Sequence, residues 1–159
     1  MRFKSMYRDR ILAMMLFSIS ASIVWIVFLI IAEGTLRFNL YSIGGFGAAV
    51  AAACINSFWF ASKIIEKKAL YAAFWGFIIT LLSFLLGSVL FGIGFAIHDH
   101  FFGPHEIFAI ETIADIFRYM LGAFMISVTL MSPGFLMGAA TGVIYLKLIQ
   151  RKEIGFLNT

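Results

Sequence analysis

The stretch Ala69–Ile97 reads ALYAAFWGFIITLLSFLLGSVLFGIGFAI and contains no charged residue. About 20 apolar residues suffice for a helix to cross a hydrocarbon layer of about 30 Å, so this segment is long enough to cross it with some tilt. Stretches of the same character run over about 11–32, 42–64 and 117–148. In lipid a lone segment satisfies its own backbone hydrogen bonds only as a helix. The pattern therefore predicts an all-α fold, an integral membrane bundle of four transmembrane helices, with residues 1–159 forming one domain. Composition agrees, because 62% hydrophobic residues against 13% charged ones leaves too little polar surface for a water-soluble domain of this size.

The charges that remain set an orientation. Arg2, Lys4, Arg8 and Arg10 precede the first apolar stretch, Lys63, Lys67 and Lys68 lie between the second and third, and Lys147, Arg151 and Lys152 close the fourth. The opposite loops carry Glu33, Asp99, Glu106, Glu111 and Asp115 against Arg37 and Arg118. Positive residues stay on the cytoplasmic side, which places both termini there and the acidic loop 98–118 outside. The net charge of +4 belongs to these segment ends and forms no aromatic-interleaved patch, so no nucleic acid partner is expected. The first apolar stretch exceeds the 7 to 15 residues of a signal-peptide core, and an uncleaved helix is the better reading. Short loops suggest a bacterial inner membrane.

Small residues recur at helical spacing. Gly134, Gly138 and Gly142 make one stripe; Gly44, Ala48 and Ala52 make another, with Gly45, Ala49 and Ala53 beside it and a weaker set at Ser88, Gly92 and Ala96. Such stripes let helix backbones approach closely in lipid. They serve either packing within the bundle, the commoner use, or an interface with a second copy or a membrane-protein partner. Trp25 lies too deep for an interfacial aromatic belt and is read as a packing residue. Cys54, the sole cysteine, is read as a small apolar side chain.

Pro133 interrupts the fourth stretch. A proline removes one helical hydrogen bond and crowds the carbonyl four residues earlier, so a kink is expected around Thr129. Asn56, Ser127, Thr129, Ser132 and Pro133 then form the candidate lining of a pathway, although an ordinary repaired kink is the plainer account. No ionisable residue occupies the centre of any span, which disfavours proton-coupled pumping and intramembrane carboxylate catalysis.

The chain's three histidines sit together in His98-Asp99-His100-Phe101-Phe102-Gly103-Pro104-His105-Glu106. His98, His100 and His105 are candidate ligands for a divalent metal, without the spacing of an established zinc motif. Beyond that metal no cofactor is expected. Downstream, Ile107, Ile110, Ala114 and Phe117 repeat at helical spacing opposite Glu111, Asp115 and Arg118, which predicts a short amphipathic interfacial helix over about 106–116, before the fourth span. Phosphate-binding loops, zinc-protease helices and nucleophile elbows are missing from the sequence, so no enzyme is expected. The residues point to a small non-catalytic accessory, assembly or interaction subunit. The alternatives are a small oligomeric channel or transporter for a neutral solute or cation, and outer-face metal binding. The bilayer is the first partner, with a homo-oligomer or a membrane-protein complex as the second.

Overall fold

A computed structural model describes residues 2–33, 40–65, 68–102, 110–130 and 132–157. All the regular structure among them is helical: α1 Arg2–Glu33, α2 Leu40–Ile65, α3 Ala69–Phe102, α4 Ile110–Leu130 and α5 Pro133–Leu157. Three of these, α1 to α3, are long and apolar enough to cross a membrane, and the bent pair α4–α5 supplies a fourth if the two count as one span.

The boundaries differ from the sequence expectation in several places. Helix α1 begins at Arg2 rather than near Ile11. Hydropathy marks only the lipid-compatible part of a helix, whereas Arg, Lys and Met are good helix formers that continue it into the polar zone. Helix α3 likewise runs on through His98 to Phe102. Of the amphipathic stretch expected over about 106–116, residues 106–109 lie outside the described residues. From Ile110 it continues without interruption into α4, because neither glycine nor proline intervenes before Gly122. An apolar stripe reports which side of a helix is polar and says nothing about where the helix ends.

The single fourth helix expected over 117–148 is two helices. The chain turns by 72° between Ile116–Thr129 and Pro133–Arg151. Pro133 is the first residue of α5, where its missing N–H breaks no bond and its fixed φ suits a helix start. The Ser132 carbonyl accepts the Phe135 N–H at 3.1 Å, closing the first turn. Across the break, the Thr129 hydroxyl donates back to the Met125 carbonyl, finishing α4 on its own.

Despite the turn, α4 and α5 share one antiparallel neighbour. Tyr119 stacks near Phe95 at 5.9 Å between ring centroids, Phe135 lies 5.1 Å from Phe84, and Gly138 and Gly142 face Gly76 and Ala72. Stepping back along α3 from Phe95 to Ala72 steps forward equally along α4 and α5 from Tyr119 to Gly142. The bend thus leaves the register with α3 intact.

Packing is tightest toward the termini. Ala13, Phe17, Ala61, Ile64, Ala72, Tyr145 and Ile149 form a buried cluster drawn from α1, α2, α3 and α5. Tyr145 donates its hydroxyl to the Asp9 carbonyl at 3.1 Å, and Ser20 and Thr141 share a hydrogen bond of 2.6 Å, tying α5 to α1. Between α3 and α5 the backbones nearly touch: a Cβ at Gly76 would collide with the Gly138 carbonyl, and one at Gly142 with the Ala72 carbonyl.

These contacts yield a prediction. Gly76→Ala forces two backbones apart and should destabilise the fold by about 1–3 kcal/mol. Gly47→Ala, whose Cβ meets nothing within 4 Å, should stay within about 0.5 kcal/mol of the parent. Reversible unfolding in mixed micelles measures both.

Candidate functional site

The far half of the bundle, away from the termini, is loosely closed. Helix α1 packs on α2 and α5 but has no substantial contact with α4 among the described residues. None of the described α4 side chains is buried, and Leu121, Met125 and Ile126 are exposed. The turn ahead of Pro133 carries α4 away from α1 while α5 stays docked, and a cavity of about 370 Å³ opens between them.

All five helices contribute to its wall. Aromatic rings come from Phe17, Phe28, Phe84 and Phe91, with Ala49, Gly45 and Gly87 set between them as gaps. At Gly45 the missing side chain is essential, because a Cβ there would overlap the six-membered ring of Trp25; the indole lies against bare backbone. Its Nε1–H is buried without a hydrogen-bond partner. An unmade bond of this kind costs about 1–3 kcal/mol.

Hydroxyls line the cavity at Ser20, Ser42, Thr80, Ser83, Ser88 and Ser127. Several of their protons are already committed. Thr80 donates to the Gly76 carbonyl at 3.0 Å, Ser83 to Ile79 at 2.7 Å and Ser88 to Phe84 at 2.7 Å. Such back-bonding leaves an oxygen lone pair facing the space and no proton to offer. Arg118, at the end remote from the termini, is the only charged residue in the lining among the described residues. No described carboxylate, imidazole or thiol borders the cavity, so no serine there has a base within the described wall. The chemistry on offer is apolar contact with scattered weak acceptors.

The sequence candidates fall in several places. Gly134 and Gly138 line the cavity floor, Gly134 against Phe84 and Val24, while Gly142 lies below it against α3. On α2, Gly44 abuts the Phe95 ring, and Ala48 and Ala52 face Gly87. Asn56 does not join the break. Its Nδ2 reaches the Ser83 Oγ at 3.4 Å between α2 and α3, whereas Thr129, Ser132 and Pro133 are exposed. Of the polar residues described near the break, only Ser127 lines the space. His98 is half-buried with its ring 6.2 Å from that of Phe95, beside a smaller space of about 170 Å³ that also includes Gly44 and Gly94. The His100 side chain and His105 lie outside the described residues. Cys54 shares a 2.9 Å contact with the Ser18 hydroxyl.

The cavity itself escapes sequence reasoning. Its trace is a mixture of phenylalanine with glycine and alanine on inward faces, which leaves volumes that no simple periodicity matches. Comparison with protein-family models, with curated proteins and with solved structures returns no match.

Asn56 is the deepest amide, yet its bond is long and its partner Ser83 already has a 2.7 Å acceptor on its own helix. Asn56→Ala should therefore cost only about 0.6 kcal/mol, the average for interhelical hydrogen bonds in membranes. The same micelle unfolding experiment distinguishes this from the several-fold larger loss expected of an essential polar clamp.

Proposed function

We propose that this is a four-pass membrane protein, with α4–α5 as one broken crossing, that binds a largely apolar molecule in the cavity beside the break and acts without catalysis. The observation that carries the reading is the cavity: a space of about 370 Å³ is within the range of ligand pockets and is bordered by aromatic rings. It lies where α1 and α4 lack substantial contact among the described residues, and it is stopped at the other end by the buried cluster around Phe17 and Tyr145. A continuous pore for ions is disfavoured by that plug and by a described lining that carries no charged group below Arg118. A carrier or a holder of apolar cargo fits better. On this reading the termini face the cytoplasm of a bacterial inner membrane and the cavity serves the outer leaflet.

An accessory-subunit role is supported by the same opening, because a partner's helix could cover the unburied side of α4. The small-residue stripes lend it less weight, since Gly76, Gly134, Gly138 and Gly142 are engaged within the chain.

Gly122 offers a direct test. It lines the cavity, and a Cβ there meets nothing within 4 Å. Gly122→Phe should fold normally and abolish co-purification of a small molecule seen by native mass spectrometry. Gly47→Phe, equally open but outside the cavity, should retain it. Identical ligand loads in both variants would remove the cavity from the function, and a bound protein chain displaced by Gly122→Phe would favour the subunit role.

The break has its own expectation. Pro133→Ala supplies the N–H that a continuous helix would need to reach the Thr129 carbonyl. The turn should then relax, and the ligand load in the same native mass spectra should fall.

A further inference from the structure

The class of ligand follows from the walls of the cavity, on the premise that the cavity is the binding site. We infer that its occupant is one acyl chain of a bilayer phospholipid, entering sideways between α1 and α4, with the phosphate held near Arg118.

Access is from the side. Helices α1 and α4 both line the cavity yet have no substantial contact with each other among the described residues, and the side chains they bring to it are mostly apolar, with Val24 and Phe28 on α1 and Ala123 and the exposed Ile126 on α4. In a membrane such a gap faces hydrocarbon, not water. A water-soluble solute would have to cross lipid to reach it, whereas an acyl chain is already there.

The dimensions match a lipid tail. Along α3 the lining runs from Thr80 to Phe91, about 16 Å at 1.5 Å per residue. One leaflet of hydrocarbon is about 15 Å deep, half of a core about 30 Å thick. The cavity therefore has the depth of a single tail and lies alongside α3, the direction in which tails lie.

The chemistry of the wall changes with depth. With the hydroxyl protons of Thr80, Ser83 and Ser88 committed to their own helices, the deep wall offers few donors to a polar solute. Charge enters the described lining only at the far end, where Arg118 and Tyr119 come from α4 and Ser42 from the start of α2. Apolar depth with a cation at the rim matches a phospholipid's own gradient from tail to phosphate. Arginine suits phosphate through its fork of donors.

Trp25 provides the reporter, since it lines the cavity. With Trp59 and Trp75 replaced by Phe, it is the only tryptophan left. The protein is reconstituted into nanodiscs of phosphatidylglycerol whose acyl chains carry bromine, a contact quencher of indole fluorescence. Trp25 emission should drop about twofold or more relative to unbrominated lipid, because a bound tail is mostly enclosed beside the ring. Gly122→Phe in the same background should restore the emission, and Gly47→Phe should leave the quenching in place. Arg118→Gln should lower the amount of phospholipid surviving delipidating detergent washes by about threefold, the scale of an exposed charge pair.

Unquenched Trp25 in the parent, or equal quenching in the parent and Gly122→Phe, overturns the acyl-chain assignment. Equal phospholipid retention by Arg118→Gln overturns the headgroup placement. If native mass spectrometry instead finds a non-lipid molecule that Gly122→Phe excludes, the lipid assignment fails while the binding function stands.

Discussion

The carbonyl of Gly138 occupies the place where any side chain at position 76 would have to begin. That contact, repeated one turn away between Gly142 and Ala72, holds α5 against α3 at a separation only glycine and alanine permit. In lipid there is no hydrophobic drive between helices, so close backbone approach and the dispersion it gathers are what keep a bundle together. Two further ties, from Tyr145 to Asp9 and from Thr141 to Ser20, fix the same helix to α1. Helix α5 is therefore immobilised on two sides. When Pro133 forces a turn, the displacement falls on α4.

That division explains why one end of the molecule is solid and the other hollow. Below the break, small residues alternate with Phe17, Ile64 and Tyr145 and fill the space between four helices. Above it, α3 keeps α4 through Gly92, whose bare backbone admits Met120 and the Ile116 carbonyl, and through the Phe95 and Tyr119 rings. Among the described residues nothing comparable ties α4 to α1. The cavity lies on the side of the bend where α4 and α1 fail to meet.

How much of this can be read from the residues alone depends on the distance over which each property is decided. Spans such as Ala69–Ile97 are visible because transfer of a segment into lipid depends on its own composition. The extension of α1 back to Arg2 is not, since helicity and hydropathy part company among charged helix formers. Pro133 announces a break, but the 72° turn depends on α5 being anchored by Gly76, a residue far away in sequence. The amphipathic run after Ile110 suggests a helix lying in the interface, yet its stripe is equally that of a helix packed on one side and open on the other. Asn56 and Thr129 suggest a shared polar site because both are polar and deep. Asn56 turns to Ser83 on α3, whereas Thr129 is exposed and bonds back to the Met125 carbonyl of its own helix. The cavity is the extreme case, as it is made by what five separate faces leave empty.

The unequal fastening of the two halves of the α4–α5 pair also bears on how the molecule meets bilayers of different thickness. Helices α2 and α5 each pack on both α1 and α3, so these helices resist any change of tilt that is not shared. Helix α4 is joined to the rest by a hinge at one end and by a single packed face, so it is the part that can lean at least cost when the hydrocarbon thins or swells. Mismatch costs fractions of a kcal/mol per Å, and the softest element absorbs it. A thinner membrane would lay α4 flatter and widen its separation from α1, and a thicker one would raise it and narrow the gap. The spacing of α1 and α4 is in this way tied to the mechanics of the membrane around them.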